Sequence, residues 1–383
     1  MRTSAIGLTL ATTVACVQAM FSQEARAGSW KIETVELMPG RSSMLPMLSL
    51  TLDGKGNPHI AYLRAGRFVH ASKQTGSWTT EVVDSIAGSG ATSTSTSGWT
   101  TSFQGAAIAI ANDLVHVVYI GSPPILRHAV KVDGQWSGQA VDERTSSFLP
   151  PALGFDAGLN PHILYCGYPS PPDAHCSLKY AFRSSGVWHV ALVDSTTTGS
   201  GRNAADNVAF AIQDRVPHVV FMKSRGFQYT LRYASKGSNW FIETITEDGG
   251  EDVSLALDSK GRPHVAWAAN NVIRHAWRTD GAWRVEEFFE PAEPTWSMIA
   301  IGVDAQDNVH IAHCYEGGVR HFMRKESDDW DVETVEDKAF GVFPFNRLSM
   351  ALDDRGQPHI AYIAIDEFFK ENLFMRYAHL KLD

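Results

Sequence analysis

Seven copies of one segment recur along this chain, and their spacing restricts its fold more than any other feature. Each copy is close to Leu-Asp-x-x-Gly-x-Pro-His-Ile-Ala-Tyr. Its histidine falls at His59, His116, His162, His218, His264, His310 and His359. The first and last of these histidines lie 300 residues apart over six intervals, so the mean spacing is 50 residues. A period of this length is typical of propellers and solenoids rather than of one irregular domain.

Each repeat predicts four short β-strands. In the first repeat the apolar and β-branched segments are 47–53, 57–64, 68–73 and 78–84, and turns that contain glycine separate them. The intervals between these turns are too short for helices. We therefore expect each repeat to form one four-stranded blade.

The two ends of the chain are predicted to complete the last blade together. The seventh repeat stops after its third strand, while residues 29–35 reproduce the fourth-strand pattern of residues 330–335. Such a closure leaves the ring without a free edge, which a linear solenoid would not need. We predict an all-β fold, a single seven-bladed β-propeller over residues 28–383, with residues 28–38 as the fourth strand of the last blade. The expected blades are about 44–84, 104–142, 149–194, 206–247, 251–290, 296–337 and 346–383.

Residues 1–27 read as a secretory signal outside the ring. Arg2 precedes a small apolar stretch at 5–19, and an Ala-x-Ala cleavage site ends at Ala27. The alternatives are a disordered tail and a lipoprotein signal ending at Cys16, which lacks the leucine usual at the start of a lipobox. We predict cleavage after Ala27 and a secreted or periplasmic protein. No other stretch approaches the roughly 20 apolar residues that a membrane span needs.

The charge balance argues against a nucleic-acid partner. The chain has 33 basic and 42 acidic residues, and removal of Arg2, Arg26 and Glu24 with the signal leaves 31 and 41, a net charge of −10. Proteins that bind DNA or RNA normally show a basic surplus or stripe, because neutralising phosphates supplies much of the affinity.

The cysteines predict one disulfide and no metal site. Cys166 and Cys176 bracket a short loop between two antiparallel strands, and in an exported protein a disulfide there would stabilise by about 2–3 kcal/mol. Cys314 occupies the repeat position of Cys166 and is expected to be a buried apolar residue. The spacing of the cysteines is not that of a zinc site, and no cofactor is predicted.

The residues that recur in every blade are expected to be structural. A neutral histidine donates and accepts at once, which suits a buried bridge between strands. The tryptophan that opens each fourth strand is expected to pack between adjacent blades. An aspartate in the first turn is expected to cap that turn rather than to bind calcium. These aspartates are Asp53, Asp156, Asp258, Asp304 and Asp353.

Function is expected where the repeats differ, because identical positions cannot define a unique ligand site. Loops between the second and third strands, and those between blades, are long and varied, and both sets lie on one face. The candidate ligand-binding residues on this face are Trp99, Phe103, Asn203, Asp206, Trp296, Tyr315 and Asn346. If the protein is an enzyme, the candidate catalytic residues are His313, Arg202, Tyr229, Arg225 and Arg347.

The Asp-x-x-Gly-x-Pro-His repeats and the predicted fold resemble the sialidase-like propellers of the bacterial neuraminidase-repeat superfamily over all seven blades. The Asp-box of true sialidases, Ser-x-Asp-x-Gly-x-x-Trp between the third and fourth strands, is absent here. The Asp/Gly turn lies instead between the first and second strands. The resemblance implies a secreted protein that binds or acts on polysaccharides. Proteins of this general type include seven-bladed uronate lyases that use His, Tyr and Arg. It transfers no individual residue.

Three functions remain open from the sequence. A carbohydrate-binding or adhesive module would use aromatic platforms with Asn, Asp and Arg hydrogen bonds, and it is favoured because no nucleophile, phosphate loop or metal motif stands out. A lyase would need a cation for the uronate carboxylate together with a base and an acid, and a glycosidase would need two carboxylates such as Asp206 and Asp252. An envelope scaffold that binds a surface protein is the third.

Overall fold

The computed structural model describes sixteen stretches of the chain, and every structural statement below concerns these residues. They are 26–27, 30–39, 47–85, 105–121, 123–145, 150–167, 177–195, 208–225, 228–250, 252–269, 272–289, 298–315, 318–325, 330–337, 348–365 and 372–380.

Seven antiparallel four-stranded sheets form the seven blades, numbered by the order of their histidines from His59 to His359. The first strands are β3 (Leu48–Leu52), β7 (Ala106–Ala111), β11 (Ala152–Phe155), β15 (Val208–Gln213), β19 (Asp252–Leu257), β23 (Met298–Val303) and β27 (Leu348–Leu352). The second strands are β4 (Pro58–Arg64), β8 (Leu114–Ile120), β12 (Pro161–Gly167), β16 (Val216–Arg225), β20 (Pro263–Ala269), β24 (Val309–Tyr315) and β28 (Pro358–Ile365).

The outer half of each blade completes the same order. The third strands are β5 (Arg67–Ser72), β9 (Leu126–Val132), β13 (Ser177–Ser184), β17 (Gln228–Lys236), β21 (Val272–Thr279), β25 (Gly318–Arg324) and β29 (Asn372–Leu380). The fourth strands are β6 (Thr79–Ser85), β10 (Gln135–Asp142), β14 (Val187–Asp194), β18 (Trp240–Thr246), β22 (Ala282–Phe289), β26 (Trp330–Asp337) and β2 (Trp30–Pro39).

The sheets close into a ring, as the sequence predicts. Each first strand contacts the first strand of the next blade, from β3 through β27 and back to β3, so the first strands are innermost. The N-terminal strand β2 pairs antiparallel with the C-terminal strand β29, with Trp30 opposite Leu380, and completes blade seven. The seven-bladed propeller closed by its N-terminal strand is therefore confirmed.

A two-residue strand, β1 (Arg26–Ala27), lies outside this ring. It pairs in parallel with Glu333 and Thr334 of β26 and adds a fifth strand to blade six. Cleavage after Ala27 would remove this strand from the mature protein. The signal itself, the cleavage and the export stay predictions.

The hydrophobic core is divided into seven clusters, one in each interface between neighbouring blades. The cluster between blades one and two, for example, joins Ala61 and Phe68 to Val117 and Tyr119, with Trp136 packed against it. The tryptophan of every fourth strand takes the same place in its own interface. The predicted role of these tryptophans is confirmed, and it explains why each repeat keeps one: a blade buries its faces only against its neighbours.

Among the described residues, no helix is long and apolar enough to cross a membrane.

Candidate functional site

In five of the seven blades the first turn is held by its own aspartate, whereas blades two and four have shorter turns without it. In blade one, Asp53 Oδ1 accepts hydrogen bonds from the backbone N–H groups of Lys55 and Asn57, at 2.9 and 2.8 Å. Gly56 takes the left-handed conformation between them, with φ of 78°, at no steric cost. The same two acceptor bonds recur in blades three, five, six and seven. The predicted capping role is confirmed.

The repeated histidine continues this turn into a chain of polar contacts across the blade. In blade one, His59 Nε2 lies 3.7 Å from Asp53 Oδ2, and His59 Nδ1 lies 2.9 Å from His70 Nε2. His70 Nδ1 lies 2.8 Å from Glu81 Oε1 on the fourth strand. Lys131 of blade two donates to the same carboxylate oxygen at 2.6 Å. The chain therefore links the first turn of one blade to the third strand of the next.

The other blades use the same slot with either histidine or tyrosine on the third strand. His116, His264 and His310 each face a second histidine at 3.0 to 3.1 Å. His218 Nδ1 lies 2.6 Å from the Tyr233 hydroxyl, and His162 and His359 contact Tyr180 and Tyr377 in the same way. Burial lowers the pKa of the repeated histidines, to about 4 in six of the seven. These imidazoles are neutral, hydrogen-bonded structural groups, as predicted.

A second belt of contacts joins neighbouring blades nearer the ends of the second strands. It pairs a buried tyrosine, three residues after the repeated histidine, with a carboxylate on the fourth strand of the preceding blade. Tyr62 donates to Glu36 at 2.6 Å, and Tyr119 donates to Asp84 at 2.7 Å. The remaining pairs are Tyr165 with Asp142 and Tyr362 with Glu336.

This tyrosine–carboxylate belt is interrupted around blade five. The tyrosine position holds Trp267 in blade five and His313 in blade six. The matching carboxylate position, six residues after the tryptophan that opens each fourth strand, holds Thr246 in blade four and Phe289 in blade five. Both members of the pair are therefore replaced on both sides of this one blade. In blade four Phe221 replaces the tyrosine, but the carboxylate Asp194 is retained and binds Lys223 at 3.0 Å.

His313 is buried in the second strand of blade six. It lies opposite Ile299 on the first strand and Arg320 on the third. Burial lowers the pKa of His313 to about 3, so the imidazole is neutral at physiological pH. It is the only histidine at this repeat position, where the other blades have Tyr, Phe or Trp, and this difference singled it out in the sequence.

Tyr315 and Arg320 lie beside this histidine and are partly exposed. The Arg320 Cζ atom stands 4.2 Å from the centroid of the Tyr315 ring, a cation–π arrangement. Burial, and then the Asp337 carboxylate, raise the pKa of Tyr315, while burial lowers that of Arg320. Gly318 allows a close approach here, because a Cβ would lie 2.2 Å from the Glu336 carbonyl oxygen and 2.9 Å from the Tyr315 hydroxyl. The blade-six pair, Tyr315 with Arg320, is the accessible part of the site.

Asp252, considered above as a glycosidase carboxylate, has a structural environment. It is buried at the start of β19 and accepts the backbone N–H of Val253 at 3.0 Å. Its other oxygen accepts the backbone N–H of Ile299, on the first strand of blade six, at 2.6 Å. Asp252 therefore links β19 and β23, the first strands of blades five and six.

The remaining predicted residues divide by position. Tyr229 starts the third strand of blade four opposite Ser224, and its carbonyl accepts from Gly249 N–H at 2.7 Å. Arg225 ends the second strand of the same blade opposite Gln228. The structure thus brings His313 and Tyr315 together in blade six, with Tyr229 and Arg225 two blades away. The predicted residues Arg202, Arg347, Trp99, Phe103, Asn203, Asp206, Trp296 and Asn346 lie outside the described part of the chain.

Sequence reasoning missed Arg320. The signal was present, because a cation precedes the third-strand histidine or tyrosine in six blades, at Arg127, Lys179, Arg232, Arg274, Arg320 and Arg376. Where the belt is intact, this cation is used for structure: Lys179 binds Asp142 and Arg376 binds Glu336. Comparison with the interrupted belt singles out Arg274 and Arg320, and Arg274 is engaged in ion pairs with Asp248 and Glu287.

The two described cysteines are both fully buried. Cys166 ends the second strand of blade three, and Cys176 lies outside the described residues, so their disulfide stays a prediction. Cys314 is a free thiol whose pKa burial raises, in agreement with its expected role as a buried apolar residue. Within the described stretches, no group of three or more His, Cys, Asp or Glu residues could hold a metal ion.

No protein-family model and no curated protein matches the sequence, but solved structures share its fold. The fungal lectin of Aleuria aurantia, described as a six-bladed β-propeller with a novel fucose recognition mode, is 14% identical with a TM-score of 0.53. The match covers 80% of this chain and 100% of the lectin. AofleA from Arthrobotrys oligospora is 12% identical with a TM-score of 0.52, over 82% of this chain and 92% of its own.

A third similar structure is an enzyme. Virginiamycin B lyase from Staphylococcus aureus is 9% identical with a TM-score of 0.53, and the match covers 92% of this chain and 100% of the lyase. Likeness at such identities establishes the architecture and no ligand. The resemblance to sialidase-like propellers likewise holds for the propeller fold without a shared motif. The protein is a seven-bladed β-propeller with four-stranded blades.

Proposed function

We propose that this protein binds a glycan on the face where the second strands end, with the blade-six pair at the centre of the site. The observation that carries the proposal is the interruption of the tyrosine–carboxylate belt. A ring of equivalent blades offers no reason for the two junctions of blade five to lose the pair, unless they serve something other than the joining of blades. Of these two junctions, the one between blades five and six holds the unrepeated His313 in place of the tyrosine.

The chemistry of the blade-six pair suits a sugar. The partly exposed Tyr315 ring offers an apolar face, and the Arg320 guanidinium offers several N–H donors in a fixed plane. His313 beneath them is neutral, so one ring nitrogen donates and the other accepts. Sugars present both C–H faces and hydroxyl groups, and this combination of ring and donors matches both.

Similar structures support the class of ligand. A mutant of the Aleuria aurantia lectin is known in complex with α-methyl-L-fucoside, and the lectin SapL1 is known in complex with α-methyl fucoside. Both matches cover nearly the whole lectin chain, 99% and 96%. Propellers of this kind thus include sugar-binding proteins. We infer the class of ligand from them, but we infer no binding residue of this chain from theirs.

Glycan binding is tested with two variants of the site and one matched control. Tyr315→Ala removes the aromatic face, and Arg320→Gln removes the guanidinium. Arg127→Gln, at the same repeat position in blade two, is the control. We expect the protein to bind members of a glycan array, and both site variants to weaken binding at least about tenfold, which is about 1.4 kcal/mol. Equal weakening by the control, or no glycan binding at all, contradicts the proposal.

A lyase acting on a polysaccharide is the second candidate. It is favoured because His313 and Tyr315, which have no equivalents in the other blades, lie beside Arg320. A base, an acid and a carboxylate-neutralising cation would be arranged in this way. The likeness to a lyase over 92% of this chain also favours it. Tyr315→Phe separates the two candidates: it keeps the ring beside Arg320, so binding should persist, while a reaction that needs the hydroxyl should stop. The readout is the formation of unsaturated products from acidic polysaccharides.

A further inference from the structure

The fourth strand of blade three differs from its six equivalents in exposing aliphatic side chains. Val187, Val190 and Leu192 of β14 have relative exposures of 59%, 47% and 50%. Among the described side chains, no other fourth strand exposes more than one large hydrophobic residue. The single exposed residues of this kind are Leu37, Val82, Phe241 and Val285. Val190 and Leu192 share one side of the strand, and Val187 lies on the other. Exposed apolar residues clustered in this way mark an interaction site more often than scattered residues do.

The exposed residues of β14 can be compared with residues at the same positions in the other fourth strands, counted from the tryptophan that opens each strand. Val190 and Leu192 lie two and four residues after Trp188 and point to the same side of the strand. The side of β10 that faces blade three carries Ser137 and Gln139, and Val141 packs into the interface between these two blades. Val190 and Leu192 nevertheless remain about half exposed, at 47% and 50%.

The same sector of the perimeter is uncharged. Residues 187–193 of β14 and residues 135–141 of β10 include no Asp, Glu, Lys or Arg. Each of the five other fourth strands carries a glutamate three residues after its tryptophan, at Glu33, Glu81, Glu243, Glu286 and Glu333. Four of these glutamates are ion-paired to a Lys or Arg in, or directly after, a neighbouring third strand. Residues 135–141 and 187–193 carry no such groups, so two copies can meet there without burying a charged side chain of these strands.

The outer edge of a blade in this propeller can receive a further strand. β1 pairs with the edge of β26 and makes blade six five-stranded. The edge of β14 has no such strand among the described residues. Residues 187–193 of β14 carry no charge, and a strand edge without charged side chains is poorly protected against pairing with another chain.

We propose that two copies of this chain associate through the β14 edges, related by a two-fold axis. Such an interface is self-complementary, because the same apolar strand is presented by both copies. Antiparallel pairing of the two edges would join two blades into one eight-stranded sheet, and Val187, Val190 and Leu192 would become buried against the partner copy. This inference does not depend on the proposed ligand.

Matched substitutions test the dimer. Val190→Lys and Leu192→Lys introduce a charge at the proposed interface. Val285→Lys and Val82→Lys, at the equivalent positions of blades five and one with exposures of 45% and 44%, are the controls. In sedimentation equilibrium we expect the wild-type protein and both controls to be dimers, and the two β14 variants to dissociate at least about tenfold more readily. All four side chains are exposed, so folding should be retained, as checked by thermal unfolding.

Two outcomes overturn the proposal. One is a wild-type protein that is monomeric at about 0.1 mM, well above the Kd of a specific dimer. The other is a dimer that the β14 variants leave intact, or that the controls disrupt equally. Hydrogen exchange gives a second readout: amides of β14 should exchange more slowly as concentration rises, whereas those of β6 in blade one should not change.

Discussion

At the scale of single residues, repetition distinguishes structural from candidate functional side chains. His59 and His313 are both buried and both have a lowered pKa. His59 has an equivalent in every blade and contacts a second ring on the neighbouring strand, whereas His313 replaces a tyrosine in one blade only. A perturbed pKa alone would have placed both in one class.

The third-strand histidine should tolerate tyrosine and reject phenylalanine. His70→Phe removes the contacts with His59 and Glu81 and leaves buried polar atoms unsatisfied, which should cost about 1–3 kcal/mol. His70→Tyr keeps a hydroxyl near His59, as Tyr233 does for His218 in blade four, and should cost less than about 1 kcal/mol. Urea unfolding measures both changes. Equal losses would show that packing, not the hydrogen bond, holds this slot.

At the scale of elements, the strands that recur in every repeat were predicted from the sequence. The side-chain contacts that join one blade to the next were missed. The four strands of a blade follow from apolar segments and glycine turns, because each blade meets the same neighbours. The pairing of Tyr62 with Glu36 joins two blades and is invisible within one repeat. It appears only when the tyrosine and carboxylate columns are compared, and the same comparison reveals Arg320. The pairing of β1 with β26 had no signal, since two residues carry no strand pattern.

At the scale of the whole molecule, the stability of the ring should depend on keeping its histidines neutral. Burial lowers the pKa of His59, His116, His218, His264, His310 and His359 to about 4, below the value of about 6.5 in the unfolded chain. Between these two values the unfolded state binds more protons than the folded state. Stability is therefore complete above pH 6.5 and falls as the pH drops toward 4.

This dependence predicts acid unfolding at an unusually high pH. Each histidine contributes about 1.4 kcal/mol per pH unit within the window, so six together exceed the 5–15 kcal/mol of an ordinary domain before pH 4 is reached. The unfolding midpoint, followed by circular dichroism against pH, should lie between 4 and 6.5. Glu33 and Glu81, whose pKa is about 2 in the folded protein, add losses only below about pH 4.5. Unfolding confined to pH values below 4 would therefore assign acid sensitivity to the carboxylates instead.

The closure of the ring should be transferable from blade seven to another blade. In blade seven the chain ends supply the third and fourth strands, with Trp30 opposite Leu380. In blade five the same two strands, β21 and β22, are joined by a tight turn at Asp280 and Gly281, with φ of 52° and 79°. Cutting the chain there, and joining its original ends by a short flexible linker, gives blade five the arrangement that blade seven has now.

This circular permutant should fold with nearly the native stability, because the seven interfaces and all strand pairs are retained. The change in free energy of unfolding should stay within about 2 kcal/mol, since only the entropy of closing one short loop is exchanged for that of another. Deletion of residues 1–39 is the matched control. It removes β2, its pairing with β29 and the contact of Trp30 with Glu333, and should abolish cooperative unfolding. Calorimetry measures the unfolding of both proteins. If the permutant loses cooperative unfolding as the deletion does, the ring needs its chain ends in blade seven, and closure within another blade cannot replace it.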